Sequence, residues 1–209
     1  MKNGGYGKDA LILFVITLIS GFLLGGAYHM TKVPIEKATE AANLAAYKKV
    51  FPEAADFTSD DKMEADLQVC NTDLLSQNFG KVAVDKALLA VDGSGAVMGY
   101  VITAHSDDSY SGTVKISVGI RKDGTMNGIE FLAISDTPGL GLKAKDPAFK
   151  DQYTGKNEDA LSVTKSGNAG DGEINAISGA TITSSAVTNA VNAALYYVHH
   201  TMAGQEVRR

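Results

Sequence analysis

Among 209 residues there is one cysteine and no tryptophan. A single cysteine, Cys70, excludes an intrachain disulfide and any Cys-rich zinc or iron–sulfur site. On its own it reads as a small buried hydrophobe. The four histidines, His29, His105, His199 and His200, show no ligand spacing, and the last two read as a solvated helix end. Net charge is −5 and no basic block occurs, so the electrostatic footprint of a nucleic-acid-binding protein is missing. There is also no internal repeat and no nucleotide-binding fingerprint.

What is present begins with an apolar run. Residues 10–28 (ALILFVITLISGFLLGGAY) carry no charge. At about 1.5 Å per residue they reach about 28 Å, close to the thickness of a bilayer core. Cleavable signal peptides have shorter apolar cores, roughly 7–15 residues. Gly25-Gly26-Ala27 nonetheless resembles a small-residue cleavage site, so a permanent anchor and a cleaved leader are both compatible, with length favouring the anchor. Lys2 and Lys8 precede the run, and Lys32 and Lys37 follow it. That bias leans towards a cytoplasmic N-terminus and an extracytoplasmic remainder in the cell membrane. About 180 residues follow, the size of one domain.

Past the run, Val33-Pro34 is expected to break the helix. Residues 36–50 are Ala-rich and helix-prone, ending near Phe51-Pro52. Residues 64–76 suggest a short helix. Residues 87–91 and 96–104 flank Asp92-Gly93-Ser94-Gly95, a hairpin signal. In 112–120, Val114, Ile116 and Val118 alternate onto one face, and Arg121-Lys122-Asp123-Gly124 turns the chain into a strand over 126–134. A short helix is expected after Asp146, then a loose glycine-rich loop over 162–172. Val187, Val191, Ala194, Leu195 and Val198 recur at helical spacing, predicting a helix over 184–198. Strands in the middle with helices at both ends give an α+β fold with a mainly antiparallel sheet. The expected organisation is a cytoplasmic N-terminus (1–9), a transmembrane helix (10–28), a juxtamembrane helical region (29–80) and a single domain (81–209).

Two short motifs carry chemistry. Ser178-Gly179-Ala180-Thr181-Ile182-Thr183-Ser184 runs into the last helix, with Thr183 or Ser184 as its expected N-cap. Unpaired N–H groups and the helix dipole favour a phosphate there, held by Ser178, Thr183 and the backbone. Gly179 and Ala180 let a bulky ligand approach closely. The plain alternative is a turn and a cap with no ligand. The other motif, Asp136-Thr137-Pro138-Gly139-Leu140-Gly141-Leu142-Lys143, is a rigid loop with a hydroxyl at Thr137 and a cation at Lys143. Alone it is only a turn.

The N-terminal anchor, Y-S-G-T-V-K-I-S-V-G-I (110–120), D-T-P-G-L-G (136–141) and S-G-A-T-I-T-S (178–184), in this order, resemble the G subunit of the Rnf-type ion-translocating electron-transport complex. The C subunit of the sodium-translocating NADH:quinone reductase shares the same FMN-binding domain. The resemblance spans essentially the whole chain. It implies a membrane-anchored flavoprotein with FMN joined to Thr181 by a phosphoester bond, which a separate flavin transferase makes. It also implies that Thr137, Pro138, Gly139, Leu140 and Gly141 lie near the flavin. The other subunits of the complex would be its partners, and ferredoxin and NAD⁺ would react elsewhere in that assembly. One position departs from the pattern: Asn175 stands where relatives often have Asp, within the stretch a transferase recognises. Asn keeps an acceptor oxygen but loses the charge. A quinone-reductase C subunit and a non-flavinylated, membrane-anchored binding or assembly protein are the alternatives. The length of 209 residues favours the Rnf-type reading over the former.

Overall fold

In the computed structural model, which describes residues 6–59 and 61–202, the first element is a single helix, α1 (Tyr6–Val50). It runs through Pro34 without a break, contrary to the sequence expectation. One proline removes one backbone donor and costs about 3 kcal/mol. The Ala-rich segment after it, residues 36–50, is a strong helix former and carries the helix on beyond that position. Up to Asn43 the helix belongs to one unit of the chain; a second, larger unit begins at Leu44. Within α1, Phe22 and Leu24 are 82% and 73% exposed, and the helix is long and apolar enough to cross a membrane.

The second unit is built on an antiparallel sheet. Its strands are β1 (Asp56–Thr58), β2 (Val82–Val91), β3 (Val97–Ser109), β4 (Gly112–Arg121) and β5 (Met126–Ala133). They lie in chain order, each paired with the next. α2 (Asp61–Leu74) precedes β2. It starts earlier than the sequence suggested and buries Met63, Cys70 and Leu74. α3 (Pro147–Lys150) follows Asp146 as expected. The segment read as a loose loop instead begins with β6 (Ser162–Thr164), which pairs in parallel with β7 (Glu173–Asn175). Three-residue strands are too short for a period-two pattern to register.

The last helix, α4 (Thr181–Tyr196), lies against one face of the sheet. Alternation along β4 sends Val114, Ile116, Val118 and Ile120 to that face, where they meet Val187, Val191 and Leu195 in one core. Asn192 grips the backbone of Leu161, accepting from its N–H at 2.8 Å and donating to its carbonyl at 2.9 Å. The buried hydroxyls of Tyr153 and Thr188 are 2.8 Å apart. Both contacts fix the axial position of α4. The opposite face is covered by the end of α1 and the residues after it: Tyr47, Val50, Phe51 and Ala54 pack on Leu88, Ala90 and Val101. The backbone passes close there because the strands present Gly99 and Gly119. A Cβ on Gly119 would sit 2.9 Å from Val50 Cβ, and one on Gly99 2.7 Å from Phe51 Cζ.

Candidate functional site

The start of α4 is set by a turn. Ala180 N–H donates to Ile177 O at 2.9 Å, and Gly179 takes φ +77° in third position, as a type II turn requires. Ser184 clamps this turn, accepting from Ile177 N–H and donating to Ala180 O, both at 3.0 Å. The N-cap is therefore Ala180, not Thr183 or Ser184, and no side chain caps the helix. The two expected caps fall inside the first turn because other acceptors and donors take their hydroxyls. Ser184 serves the turn and Thr183 donates to the Asp136 carboxylate. An alanine methyl offers the first N–H groups nothing, so they and the positive end of the dipole stay available.

Asp136 is the hub of the site, and sequence reasoning missed it. It is 3% exposed. One oxygen accepts from Ser111 N–H at 2.8 Å; the other accepts from the Ser109 hydroxyl at 2.7 Å and from Thr183. Burial pushes this carboxyl up, but the bonds from Thr183, Ser109 and Ser111 outweigh burial and hold it below the usual carboxylate range. The β3–β4 tip, the loop after β5 and the start of α4 thus meet at one side chain. Gly141 makes this possible: a Cβ there would lie 2.6 Å from Asp136 Cβ and 2.7 Å from Thr183 Oγ1. The visible signal was its place at the head of D-T-P-G-L-G, but its partners are distant in sequence.

Beside this hub is a cavity of about 260 Å³. Of the residues singled out from sequence, Thr137, Leu140, Gly141, Gly179, Ala180, Thr181 and Thr183 line it. Ser178, Pro138 and Gly139 are exposed and outside its lining. Lys143 lines a neighbouring depression with Asp146, Phe149, Gln152 and Asn175. Tyr110 and Ile182, which the sequence reading did not assign to the site, complete the lining. Tyr110, Leu140 and Ile182 are 70%, 45% and 56% exposed and form an apolar rim. Thr181 is half-buried on the wall, at the first position of the helix. Among the described residues no group of three or more His, Cys, Asp or Glu is arranged for a metal.

This mostly apolar cavity, with an uncapped helix N-terminus in its wall, lies in a fold already known. Residues 109–196 match the FMN-binding domain family. The crystal structure of Shewanella oneidensis NqrC shares the fold, with a TM-score of 0.52 at 17% identity over 77% of this chain and 74% of that one. The chain belongs to the G-subunit family of ion-translocating oxidoreductase complexes. It is 34% identical over 189 residues to the G subunit of the Na⁺-translocating ferredoxin:NAD⁺ oxidoreductase complex of Acetobacterium woodii, covering 88% of this chain and 87% of the relative. To the G subunit of the ion-translocating oxidoreductase complex of Methanosarcina acetivorans it is 31% identical, over 91% of this chain and 93% of that protein. The G subunit of the proton-translocating ferredoxin:NAD⁺ oxidoreductase complex of Clostridium ljungdahlii is 30% identical, with coverage of 91% and 94%.

Proposed function

We propose that this chain is the FMN-carrying subunit of an ion-translocating oxidoreductase of the ferredoxin:NAD⁺ class, with the flavin joined covalently to Thr181. It is anchored by the apolar part of α1, and its C-terminal domain lies on the extracytoplasmic side. The carrying observation is the fate of the hydroxyls around the start of α4. Thr183 is committed to Asp136 and Ser184 to the turn, whereas the half-buried Thr181 lies on the cavity wall beside uncapped N–H groups. A phosphodiester at Thr181 places its remaining negative charge where the dipole favours it.

The residues fit the cofactor in shape as well. The cavity falls slightly below the ~300–1,000 Å³ usual for small-molecule sites, so it seats part of the flavin and leaves an edge open. Tyr110, Leu140 and Ile182 supply apolar contacts for a flat ring, and Gly141 and Gly179 keep the wall thin. When bound, FMN supplies one- and two-electron redox chemistry. The protein's own contribution is to tether, orient and partly shield it.

Attachment needs a flavin transferase and an activated flavin nucleotide. The Thr181 Oγ1–P bond forms as a phosphoanhydride bond breaks, the leaving phosphate keeps the electron pair, and the hydroxyl proton passes to a base of the transferase. Electrons then come from, and leave to, other subunits of the complex, which are the partners of this chain. The test is in-gel fluorescence of the denatured protein followed by peptide mass mapping. Wild type should carry FMN mass on the Thr181 peptide and Thr181→Ala should carry none; FMN retained by a folded Thr181→Ala protein overturns the assignment.

A further inference from the structure

Electrostatics of the cavity are one-sided. Among its lining residues Asp136 is the only one that is charged at neutral pH. The cation that the loop offers, Lys143, lines the neighbouring depression instead. Both Asp136 oxygens already accept hydrogen bonds, one from Ser111 and the other from Ser109 and Thr183. What the carboxylate presents to the cavity is a negative charge held in a fixed place. The positive end of the α4 dipole is equivalent to only about half a charge and fades within the first turn. A phosphate on Thr181 would offset it, so nothing else in the wall neutralises Asp136.

We propose that Asp136 is a positioning residue for the cofactor's redox poise: its fixed charge in the cavity wall lowers the midpoint potential of the flavin. The proposal rests on the reading that FMN is seated in this cavity. Adding an electron to the flavin brings negative charge towards an existing negative charge, across apolar walls that screen poorly. The three donors keep Asp136 ionised and immobile, so the effect does not relax away. Asp136 itself gains no electron and no proton. The subunit is thereby biased towards giving electrons on rather than storing them.

The experiment is potentiometric titration of the full-length flavinylated protein in detergent, at mildly alkaline pH, with dithionite supplying the electrons. Asp136→Asn removes the charge and keeps the shape, and its midpoint should lie above that of wild type. Thr183→Val and Ser109→Ala each remove one donor and keep the carboxylate. With less of its charge compensated, their midpoints should lie below wild type. An unchanged midpoint in Asp136→Asn, or a rise in all three variants, overturns the proposal, the second because the brace would then matter and the charge would not. If Asp136→Asn does not fold, the other two variants decide alone: a fall supports the proposal, and an unchanged or raised midpoint overturns it. Absence of FMN mass on the wild-type Thr181 peptide is a separate result, visible before any potential is measured, and it sinks the flavin reading instead.

Discussion

Thr183 donates its hydroxyl to the Asp136 carboxylate, a bond across 47 residues of sequence that ties the start of α4 to the loop after β5. The bond divides the work of two threonines two positions apart. Both line the cavity, but only the hydroxyl of Thr183 is taken by Asp136. Thr183 is 1% exposed and structural, while Thr181 is half-buried on the cavity wall.

This division makes the two positions separable by mutation. Thr183→Val leaves a buried carboxylate short of one donor and should cost about 1.5–3 kcal/mol of domain stability, the range for bonds to charged groups. Thr181→Ala touches no such bond and should stay within about 0.5 kcal/mol of wild type. Urea denaturation followed by circular dichroism measures both; equal losses would contradict the assignment of roles.

Acid should weaken the same brace. Asp136 has a folded-state pKa below its unfolded value of about 3.9, so its contribution is fully present above that value. The contribution is lost as pH falls through the folded pKa. Glu130 acts in the same direction: burial raises its pKa, but Lys150, 2.8 Å away, and Lys49, 3.5 Å away, hold it low. Wild type should therefore lose stability more steeply below about pH 4 than Asp136→Asn does, while Glu130 contributes equally to both. Parallel pH–stability curves for the two proteins would show that Asp136 is not coupled to folding.

Asp136 also marks what sequence could and could not reveal. The helical face of α4 and the alternation of β4 are local patterns, and they were legible. Strand lengths were less so. β2 and β3 extend to Val82 and Ser109, but irregularities between Val84 and Lys86 and between Ser106 and Ser109 interrupt the period-two pattern. The start of α4 lies earlier than its capping-type residues suggest. Their hydroxyls are spent on partners that no local pattern announces. Asp136 was legible as part of a motif and illegible as a hub, since Ser109, Ser111 and Thr183 reach it only once the sheet and helix are in place. Pro34 misled for a different reason: despite a local penalty of about 3 kcal/mol, the helix continues past it into the Ala-rich segment.

The glycines under the end of α1 give a third test. Gly119→Ala would place a methyl carbon 2.9 Å from both Val50 Cβ and Val50 O, with Phe51 Cδ2 at 3.2 Å. Strand backbone lies on one side and a packed segment on the other, so the segment must lift; the expected cost is about 1–3 kcal/mol. Gly93 lies in the β2–β3 turn with nothing within 4 Å of a built Cβ, and Gly93→Ala is the control, expected within about 0.5 kcal/mol of wild type. Thermal melts of the two variants decide. Hydrogen exchange should also show faster opening at Tyr47, Val50 and Phe51 in Gly119→Ala alone.

The last prediction concerns the side of the membrane on which the C-terminal domain is proposed to lie. The part of α1 that precedes the second unit exposes large apolar side chains, among them Phe14 at 61%, Phe22 at 82% and Leu24 at 73%. Apolar surface of that extent in water is a liability, and a bilayer removes it. Lys2 and Lys8 before the run favour a cytoplasmic N-terminus, which sends the rest of the chain outward. The proposed covalent tether would suit that side, because free FMN is scarce outside the cytoplasm and a diffusible cofactor would be lost. Protease added to intact cells or right-side-out vesicles should therefore digest the flavin-bearing fragment, while inverted vesicles protect it. The fluorescent band on a denaturing gel reports the fragment directly. Protection in right-side-out vesicles with digestion in inverted ones would reverse the orientation. Release of the intact protein by alkaline carbonate without detergent would instead remove the anchor.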